Sequence, residues 1–113
     1  MNKLYQFIQY FNARLKESNP QSLLIWYDSV LYDGKLRWQS CLNQFNYNFF
    51  SITDLFFTDY HWEPNRLHSS AQFAKERSHD VLFGIDVYGR GTYGGGMLNT
   101  SFAVNVFCYI GNL

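Results

Sequence analysis

Hydrophobic residues near the start of the chain recur three and four positions apart, which is the spacing of one face of a helix. The residues on this stripe are Leu4, Phe7, Ile8, Phe11 and Leu15. They predict a helix over about residues 3–17, which ends before Asn19 and Pro20. The next segment, 22–27, is almost continuously apolar and is followed by polar Asp28. Such a short run is typical of a strand that is buried on both faces.

The rest of the chain alternates between the same two kinds of pattern. A second helix is predicted over about residues 39–50, and a third from Pro64 to about Arg77, because proline is favoured in the first turn of a helix. Further apolar runs predict strands at 55–60 and 81–88. Helix and strand therefore alternate three times, which is typical of the α/β class, in which helices cross over between parallel strands.

Two α/β architectures fit this order: an open, doubly wound sheet and a segment of a closed (β/α)8 barrel. Each predicted strand ends with an aromatic residue near an aspartate, at Tyr27–Asp28, Asp59–Tyr60 and Asp86–Tyr88. The carboxyl ends of parallel strands line the ligand site, and in barrels nearly every strand contributes to it. Three such strands in succession favour about three α/β units of a barrel. The 113 residues amount to roughly half of a complete barrel of ~250.

Composition and charge argue against several classes of protein. Nine Lys and Arg balance nine Asp and Glu, without the basic surface by which proteins bind nucleic acid or anionic membranes. No apolar run approaches the ~20 residues of a membrane span, and no secretory signal is recognisable. Cys41 and Cys108 lie far apart, outside any CxxC pair. We therefore expect two reduced, buried thiols and a soluble protein of the cytosol.

Two short motifs match known sites only by chance. Residues 89–94 read G-x-G-x-x-G, but no acidic residue follows in 95–113 to bind a ribose. This disfavours a dinucleotide site and indicates a glycine-rich loop after the third strand. His61 and Glu63 form an H-x-E motif without the P-C-x-x-C partner of zinc deaminases. We predict no metal site and no cofactor.

Aromatic residues make up 20% of the chain, and several cluster at or just beyond the predicted strand ends. These are Trp26, Tyr27, Trp38, Tyr60, Trp62 and Tyr88, interleaved with Asp28, Gln39, Asp59, Asp86 and Arg90. Flat rings beside hydrogen-bonding side chains suit a sugar, whose C–H face packs on a ring while its hydroxyls need donors and acceptors. The alternative, that the rings belong to the core, stays open, above all for Trp26.

Several blocks of the sequence match one known family in order and spacing: Trp26–Val30, Gly34–Gln39, Leu42 and Asn43, Asn46 with Phe49 and Phe50, Phe56–Trp62, and Asp80–Thr92. In these blocks the chain resembles the endo-β-N-acetylglucosaminidases of glycoside hydrolase family 85. The resemblance covers about residues 4–99, whereas the tail at 102–113 diverges. It implies a (β/α)8 barrel, partial here over 1–113, that cleaves the β-1,4 bond in the N,N′-diacetylchitobiose core of N-glycans or free oligosaccharides.

The resemblance also implies a mechanism and site residues. The substrate's 2-acetamido oxygen attacks the anomeric carbon, a Glu acts as general acid and then base, and an Asn two residues earlier orients the acetamide. Tyr27 matches the tyrosine that supports this acetamido group. Trp38 and Trp62 match aromatics of the sugar subsites, whereas Asp59 departs from the Asn of many relatives. The expected substrate-binding residues are Trp26, Asp28, Trp38, Asp59, Tyr60, His61, Trp62, Asp86 and Arg90.

No Asn-x-Glu occurs anywhere in the 113 residues, so the general acid/base Glu is absent from this chain. We expect an internal segment that depends on the rest of a full-length barrel and is inactive by itself. One alternative is a glycan-binding half-barrel without catalysis. Another is a truncated product without a stable fold, because both edges of a parallel sheet would be exposed.

Overall fold

Three short parallel strands lie side by side in the order β1-β2-β3. The computed structural model describes residues 2–89 and 91–110. The strands are β1 (Ile25–Tyr27), β2 (Leu55–Phe57) and β3 (Val81–Leu82). The helices are α1 (Asn2–Ser18), α2 (Tyr47–Phe50), α3 (Pro64–Ala74) and α4 (Thr100–Ile110), with 3₁₀-helices at Lys75–Asp80 and Met97–Asn99. The predicted α/β class is confirmed, and closure into a barrel stays a prediction.

Each predicted strand is present but is shorter than expected. β1 occupies the end of the segment at 22–27, whereas β2 and β3 occupy the beginnings of 55–60 and 81–88. The Asp28 amide still donates to the Phe57 carbonyl at 2.7 Å, so hydrogen bonding between the first two strands continues just beyond β1. After this point the chain turns into the loops that carry the candidate site.

The second helix differs most from its prediction, because the helix expected over 39–50 is wrong outside α2. Ser40 has a φ of 54°, in the left-handed region through which an α-helix cannot continue. The Asp28 carboxylate binds the backbone amide of Ser40, and the Asn46 side chain binds that of Asn43 at 2.8 Å. These side chains replace helical hydrogen bonds, which apolar spacing alone does not reveal.

The remaining helices follow the pattern more closely. α1 confirms the helix predicted from the first stripe, although Ile8 is the one residue of that stripe that is fully buried. α3 begins at Pro64 as predicted. It ends at Ala74, and a 3₁₀-helix replaces the last turn that was expected up to Arg77. The pattern did not predict α4.

The two faces of the sheet have different surroundings. On one face, Trp26 packs against a buried cluster that consists of Leu42, Phe50, Phe56, Ala74 and Val81. On the other face, Ile25, Tyr27 and Phe57 expose 48%, 43% and 38% of their surface. The expected burial on both faces is therefore wrong for this chain. Parallel sheets are normally covered on both sides, and the described residues cover only one.

Arg77 ties the end of α3 to the loop after α2. Its guanidinium donates to the carbonyl oxygens of Phe50, Thr53 and Asp54 at 3.1, 3.0 and 2.7 Å. It also pairs with Asp80 at 2.6 Å and lies 4.2 Å from the centroid of the Phe50 ring. A rigid fork of five N–H donors can make all these contacts at once, whereas an ammonium group cannot.

We expect Arg77→Lys to lower the free energy of unfolding by about 1–3 kcal/mol, because carbonyl groups lose their donors. Arg14→Lys is the matched control, since the Arg14 side chain is 62% exposed and forms an ion pair with Glu17, which is equally exposed. Its effect should stay within about 0.5 kcal/mol. Urea unfolding followed by circular dichroism measures both variants, and equal losses would contradict the role given to Arg77.

The backbone at Gly89 and the backbone at Gly96 pass close to each other where the glycine-rich loop begins and ends. A Cβ on Gly96 would lie 2.7 Å from the Cα of Gly89 and 2.8 Å from the carbonyl oxygen of Val87. The Met97 amide donates to the same carbonyl at 2.5 Å and closes the loop. Only a residue without a side chain permits this approach of two backbone segments.

We expect Gly96→Ala to destabilise the chain more than Gly95→Ala does. Both glycines have positive φ, at 71° and 77°, so both substitutions carry a conformational cost, on the order of 1–3 kcal/mol at Gly96, whose ψ of −160° lies in a region that is essentially restricted to glycine. Only at Gly96 does the new methyl group also meet backbone, because nothing lies within 4 Å of a Cβ on Gly95. The difference between the two urea midpoints measures the combined requirement for glycine at position 96, from backbone conformation and from close contact, and identical midpoints would refute this requirement.

Candidate functional site

The carboxyl ends of the three strands lie at one edge of the sheet, because the strands are parallel. Besides Tyr88, which lies six positions beyond β3 and is exposed by 76%, three aromatic residues at or near these ends are exposed: Tyr27 by 43%, Trp38 by 50% and Tyr60 by 42%. We call these three residues the strand-end aromatics. The Tyr27 ring lies 5.8 Å from the Phe57 ring of the neighbouring strand. Rings that keep this much surface in solvent are available to stack on a ligand.

Trp38 is held near the end of β1 by a hairpin-like loop. Val30 and Leu36 form an antiparallel bridge within this loop. On the N-terminal side of Trp38, the Arg37 amide donates to the Ser29 carbonyl at 2.7 Å. On its C-terminal side, the Gln39 amide donates to a buried carboxylate. The backbone on either side of Trp38 is thus anchored to residues that directly follow β1.

That carboxylate belongs to Asp28, which is completely buried. One of its oxygens accepts hydrogen bonds from the amides of Gln39 at 2.9 Å and Ser40 at 2.8 Å. The other accepts from Nδ2 of Asn46 at 2.9 Å. Burial raises the pKa of the Asp28 carboxyl, although the three donors oppose the rise and the charge of Asp59 adds to it. Asp28 was expected to bind substrate, and the structure instead directs both oxygens into the protein.

Trp62 is buried and Trp26 is partly buried, so neither belongs to the strand-end aromatics. Trp26 stacks on Phe49 at a centroid distance of 4.5 Å, and its Nε1 has no hydrogen-bond partner among the described residues. Trp62 is 2% exposed and donates from Nε1 to the Gly84 carbonyl at 2.6 Å. Its ring lies 5.7 Å from that of Tyr93. Trp62 therefore lies in the core, and Trp26 packs against the core, which is the alternative that the sequence left open for Trp26.

Asp59 and His61 are brought together beyond β2. The Asp59 carboxylate accepts from the His61 amide at 3.1 Å and lies 3.4 Å from Nδ1 of the imidazole. The His61 ring also lies 4.6 Å from the Tyr60 ring. His61 is also one of the residues that line a surface cleft of about 370 Å³; the others are Trp62, Glu63, Pro64, Gly91, Thr92 and Tyr93. Asp59 thus orients an exposed imidazole in the wall of this cleft.

Two predicted site residues remain. Asp86 accepts a hydrogen bond from the Tyr88 amide at 2.9 Å. With Tyr60 it lines a cavity of about 10 Å³, which is about the size needed for one water molecule and too small for a sugar. Arg90 lies outside the described residues.

The pattern missed Asn46 as the partner of Asp28. Asn46 is completely buried, donates also to the Cys41 carbonyl at 2.9 Å and accepts from the Asn43 amide at 2.8 Å. Every polar group of its side chain is therefore used. Its signal in the sequence was a polar residue among the apolar positions of a segment assigned to a helix, at a place where a buried amide needs partners.

In the part of the chain that the structure describes, no three or more His, Cys, Asp or Glu side chains are grouped so that they could hold a metal ion. No helix of that part combines the length and apolarity that a membrane span requires. Cys41 is a free, buried thiol, as expected. The side chain of Cys108 lies outside the described residues.

Asn46 should keep the pKa of Asp28 from rising further. Its Nδ2 donor favours the charged carboxylate, so Asn46→Ala is expected to move the pKa of Asp28 still further above the usual 3.8. Because the pKa of Asp28 is higher in the folded than in the unfolded chain, the free energy of unfolding falls as pH rises from the unfolded-state pKa through the folded-state pKa. Asn46→Ala raises the folded-state pKa and so extends this pH range upward. Carbon-13 NMR titration of the Asp28 carboxyl measures the change.

The matched control is Asn48→Ala, which removes an exposed amide from α2. It should leave the Asp28 titration midpoint unchanged. A midpoint that fails to rise in Asn46→Ala would contradict the charge stabilisation assigned to this hydrogen bond.

Comparison with known proteins gives a consistent result. Residues 1–110 match Glycosyl hydrolase family 85, a match that includes part of the tail expected to diverge. Cytosolic endo-beta-N-acetylglucosaminidase 1 of Arabidopsis thaliana is 44% identical over 103 residues, which are 91% of this chain and 15% of that protein. The cytosolic endo-beta-N-acetylglucosaminidase of Homo sapiens is 43% identical over 94 residues, or 83% of this chain and 13% of that protein.

The cytosolic endo-beta-N-acetylglucosaminidase of Danio rerio is 40% identical over 108 residues, or 94% of this chain and 15% of that protein. The chain thus spans only 13–15% of the length of these three relatives. No solved structure matches it at a significant level. The family match covers nearly all of the sequence, and the chain belongs to glycosyl hydrolase family 85.

Proposed function

We propose that this chain forms part of the substrate-binding surface of a cytosolic endo-β-N-acetylglucosaminidase that acts on the N,N′-diacetylchitobiose core of N-glycans. The observation that carries the proposal is the exposure of Tyr27, Trp38 and Tyr60 at or near the carboxyl ends of parallel strands. Exposed rings suit the C–H faces of sugars. Family membership and the names of the relatives support the same substrate class.

The proposed architecture is a segment of a (β/α)8 barrel. Helices pack on one face of the sheet, while Ile25 and Phe57 leave the other face open, and Tyr27 lies at the carboxyl end of β1, where the ligand site of a barrel opens. In a barrel the inner face of each strand is covered by side chains from the other strands. The one-sided cover of this sheet supports such a segment over 1–113.

In the proposed reaction the acetamido oxygen of the substrate attacks its own anomeric carbon as the glycosidic bond breaks. In the same step a Glu has to protonate the departing sugar oxygen, and its carboxylate later activates the water that attacks the anomeric carbon of the intermediate. Tyr27 is assigned to support the acetamido group, which accords with its exposed position at the end of β1. Glu63 lines the cleft beyond β2, but the residue two positions before it is His61 and not Asn. Glu63 is therefore not assigned to this acid/base role.

Among the predicted substrate-binding residues, the accessible side chains are the best candidates for direct contact with sugar. Trp38 and Tyr60 offer ring faces, and His61, with about half of its side chain exposed, offers an oriented imidazole. Asp28 and Trp62 are assigned instead to hold the surface in place, since both are buried.

The purified chain should release glycan from a high-mannose glycopeptide about 10²–10⁴-fold more slowly than a full-length relative, because the general acid/base is absent. Mass spectrometry of the glycopeptide measures the release. A rate equal to that of the full-length human relative would overturn the proposal that this chain contributes to substrate binding but lacks the general acid/base.

Glycan binding without catalysis is the second candidate function, favoured by the exposed Trp38 in a sequence without Asn-x-Glu. We expect N,N′-diacetylchitobiose to bind with a saturable change in tryptophan fluorescence. Trp38→Ala, with binding measured by calorimetry because this substitution removes the reporting tryptophan, should weaken binding by about 1–3 kcal/mol, whereas Tyr10→Ala, which removes an exposed ring from α1, should not. Absence of saturable binding to the wild-type chain would refute this function.

A further inference from the structure

The peptide after Trp38 is held from two directions. The Gln39 amide donates to the buried Asp28 carboxylate at 2.9 Å, and the Gln39 carbonyl accepts from the Arg66 guanidinium of α3 at 2.9 Å. The Ser40 amide donates to the same carboxylate oxygen at 2.8 Å. Asp28 therefore sets the path of the chain directly after an exposed ring, without contact between its own oxygens and solvent.

Ser40 is the point at which this anchoring overcomes an unfavourable backbone conformation. Its φ of 54° is uncommon for a residue other than glycine and costs on the order of 1 kcal/mol for a non-glycine residue. The chain keeps this conformation because the Ser40 amide faces the carboxylate. Without that acceptor the residue would relax, and the direction in which Trp38 leaves the loop would change.

Asn46 fixes the carboxylate in turn. Its Nδ2 donates to Asp28 and to the Cys41 carbonyl, while its Oδ1 accepts from the Asn43 amide. The amide group cannot be reversed without placing like polar groups against one another. The network thus joins the end of β1 to both ends of the segment 39–46.

We propose that Asp28 is a positioning residue that, together with Asn46, fixes the loop carrying Trp38 at the sugar-binding surface. The sugar-binding part rests on the proposed function, because it takes Trp38 as a stacking surface for sugar. The positioning part rests on hydrogen-bond geometry alone. The two parts therefore have separate measurements.

The first measurement is amide hydrogen exchange in Asp28→Asn. In one orientation, the new side-chain NH2 group faces the NH2 group of Asn46; in the other, it faces the amides of Gln39 and Ser40 and no longer accepts from them. The amides of Gln39 and Ser40 should therefore exchange about tenfold faster. The reference amide is that of Thr58, which donates to the Leu82 carbonyl at 2.9 Å. Faster exchange at Gln39 and Ser40 with Thr58 unchanged is the expected result.

The matched control is Asp33→Asn, the same chemical change at the exposed turn of the same loop, where the carboxylate accepts the Lys35 amide at 3.1 Å. It should leave Gln39 and Ser40 unchanged. An equal effect in the control, no acceleration in Asp28→Asn, or equal acceleration at Thr58 would overturn the proposal. Equal acceleration throughout would mean that Asp28 supports overall stability only.

Asn46→Ala serves where Asp28→Asn does not fold. It keeps the carboxylate but removes one donor, so Gln39 and Ser40 should again exchange faster relative to Thr58, and unchanged relative rates would overturn positioning. The second measurement is affinity for N,N′-diacetylchitobiose, which should fall about tenfold in Asp28→Asn. Unchanged affinity would overturn the sugar-binding part. No binding by the wild-type chain would overturn the proposed function and leave the exchange result standing.

Discussion

A buried negative charge at the end of β1 is unfavourable unless donors surround it, and the loops of this chain are arranged to supply them. Asp28 is completely buried, and its donors come from Gln39, Ser40 and Asn46. The segment between β1 and α2 therefore folds around the carboxylate. This single group determines both why a helix fails to form there and where Trp38 is exposed.

Asp54 shows how differently a second carboxylate behaves near the other end of the sheet. Burial alone would raise its pKa, but the Leu24 amide at 2.7 Å and the Lys16 and Arg77 cations outweigh burial and lower it. The pair with Lys16, at 2.9 Å, links α1 to the start of β2. Its stabilisation is present above the usual Asp pKa and is lost as pH falls below it. Asp54 thus joins structural elements by charge, whereas Asp28 joins a loop by its acceptors.

The uncovered sheet face is the second constraint on this chain. Apolar side chains that face solvent contribute little to folding, and parallel sheets are usually covered on both faces. Here Ile25, Tyr27 and Phe57 remain exposed while the helices bury the opposite face. The chain spans 13–15% of the length of the relatives compared above, and its described residues leave this face open.

The sequence alone determined the α/β class, the positions of α1, α3 and all three strands, and the family, because periodicity and motif order are properties of neighbouring residues. Tertiary structure decided the rest. The helix predicted over 39–50 failed because its outcome depended on Asp28, a residue more than ten positions earlier whose burial no local pattern shows. Likewise, Trp62 and Trp38 both lie beyond predicted strands among polar residues. Trp62 nevertheless donates to the Gly84 carbonyl inside the core, whereas Trp38 stays exposed. Burial arises from contacts between distant segments, and only the folded chain defines those contacts.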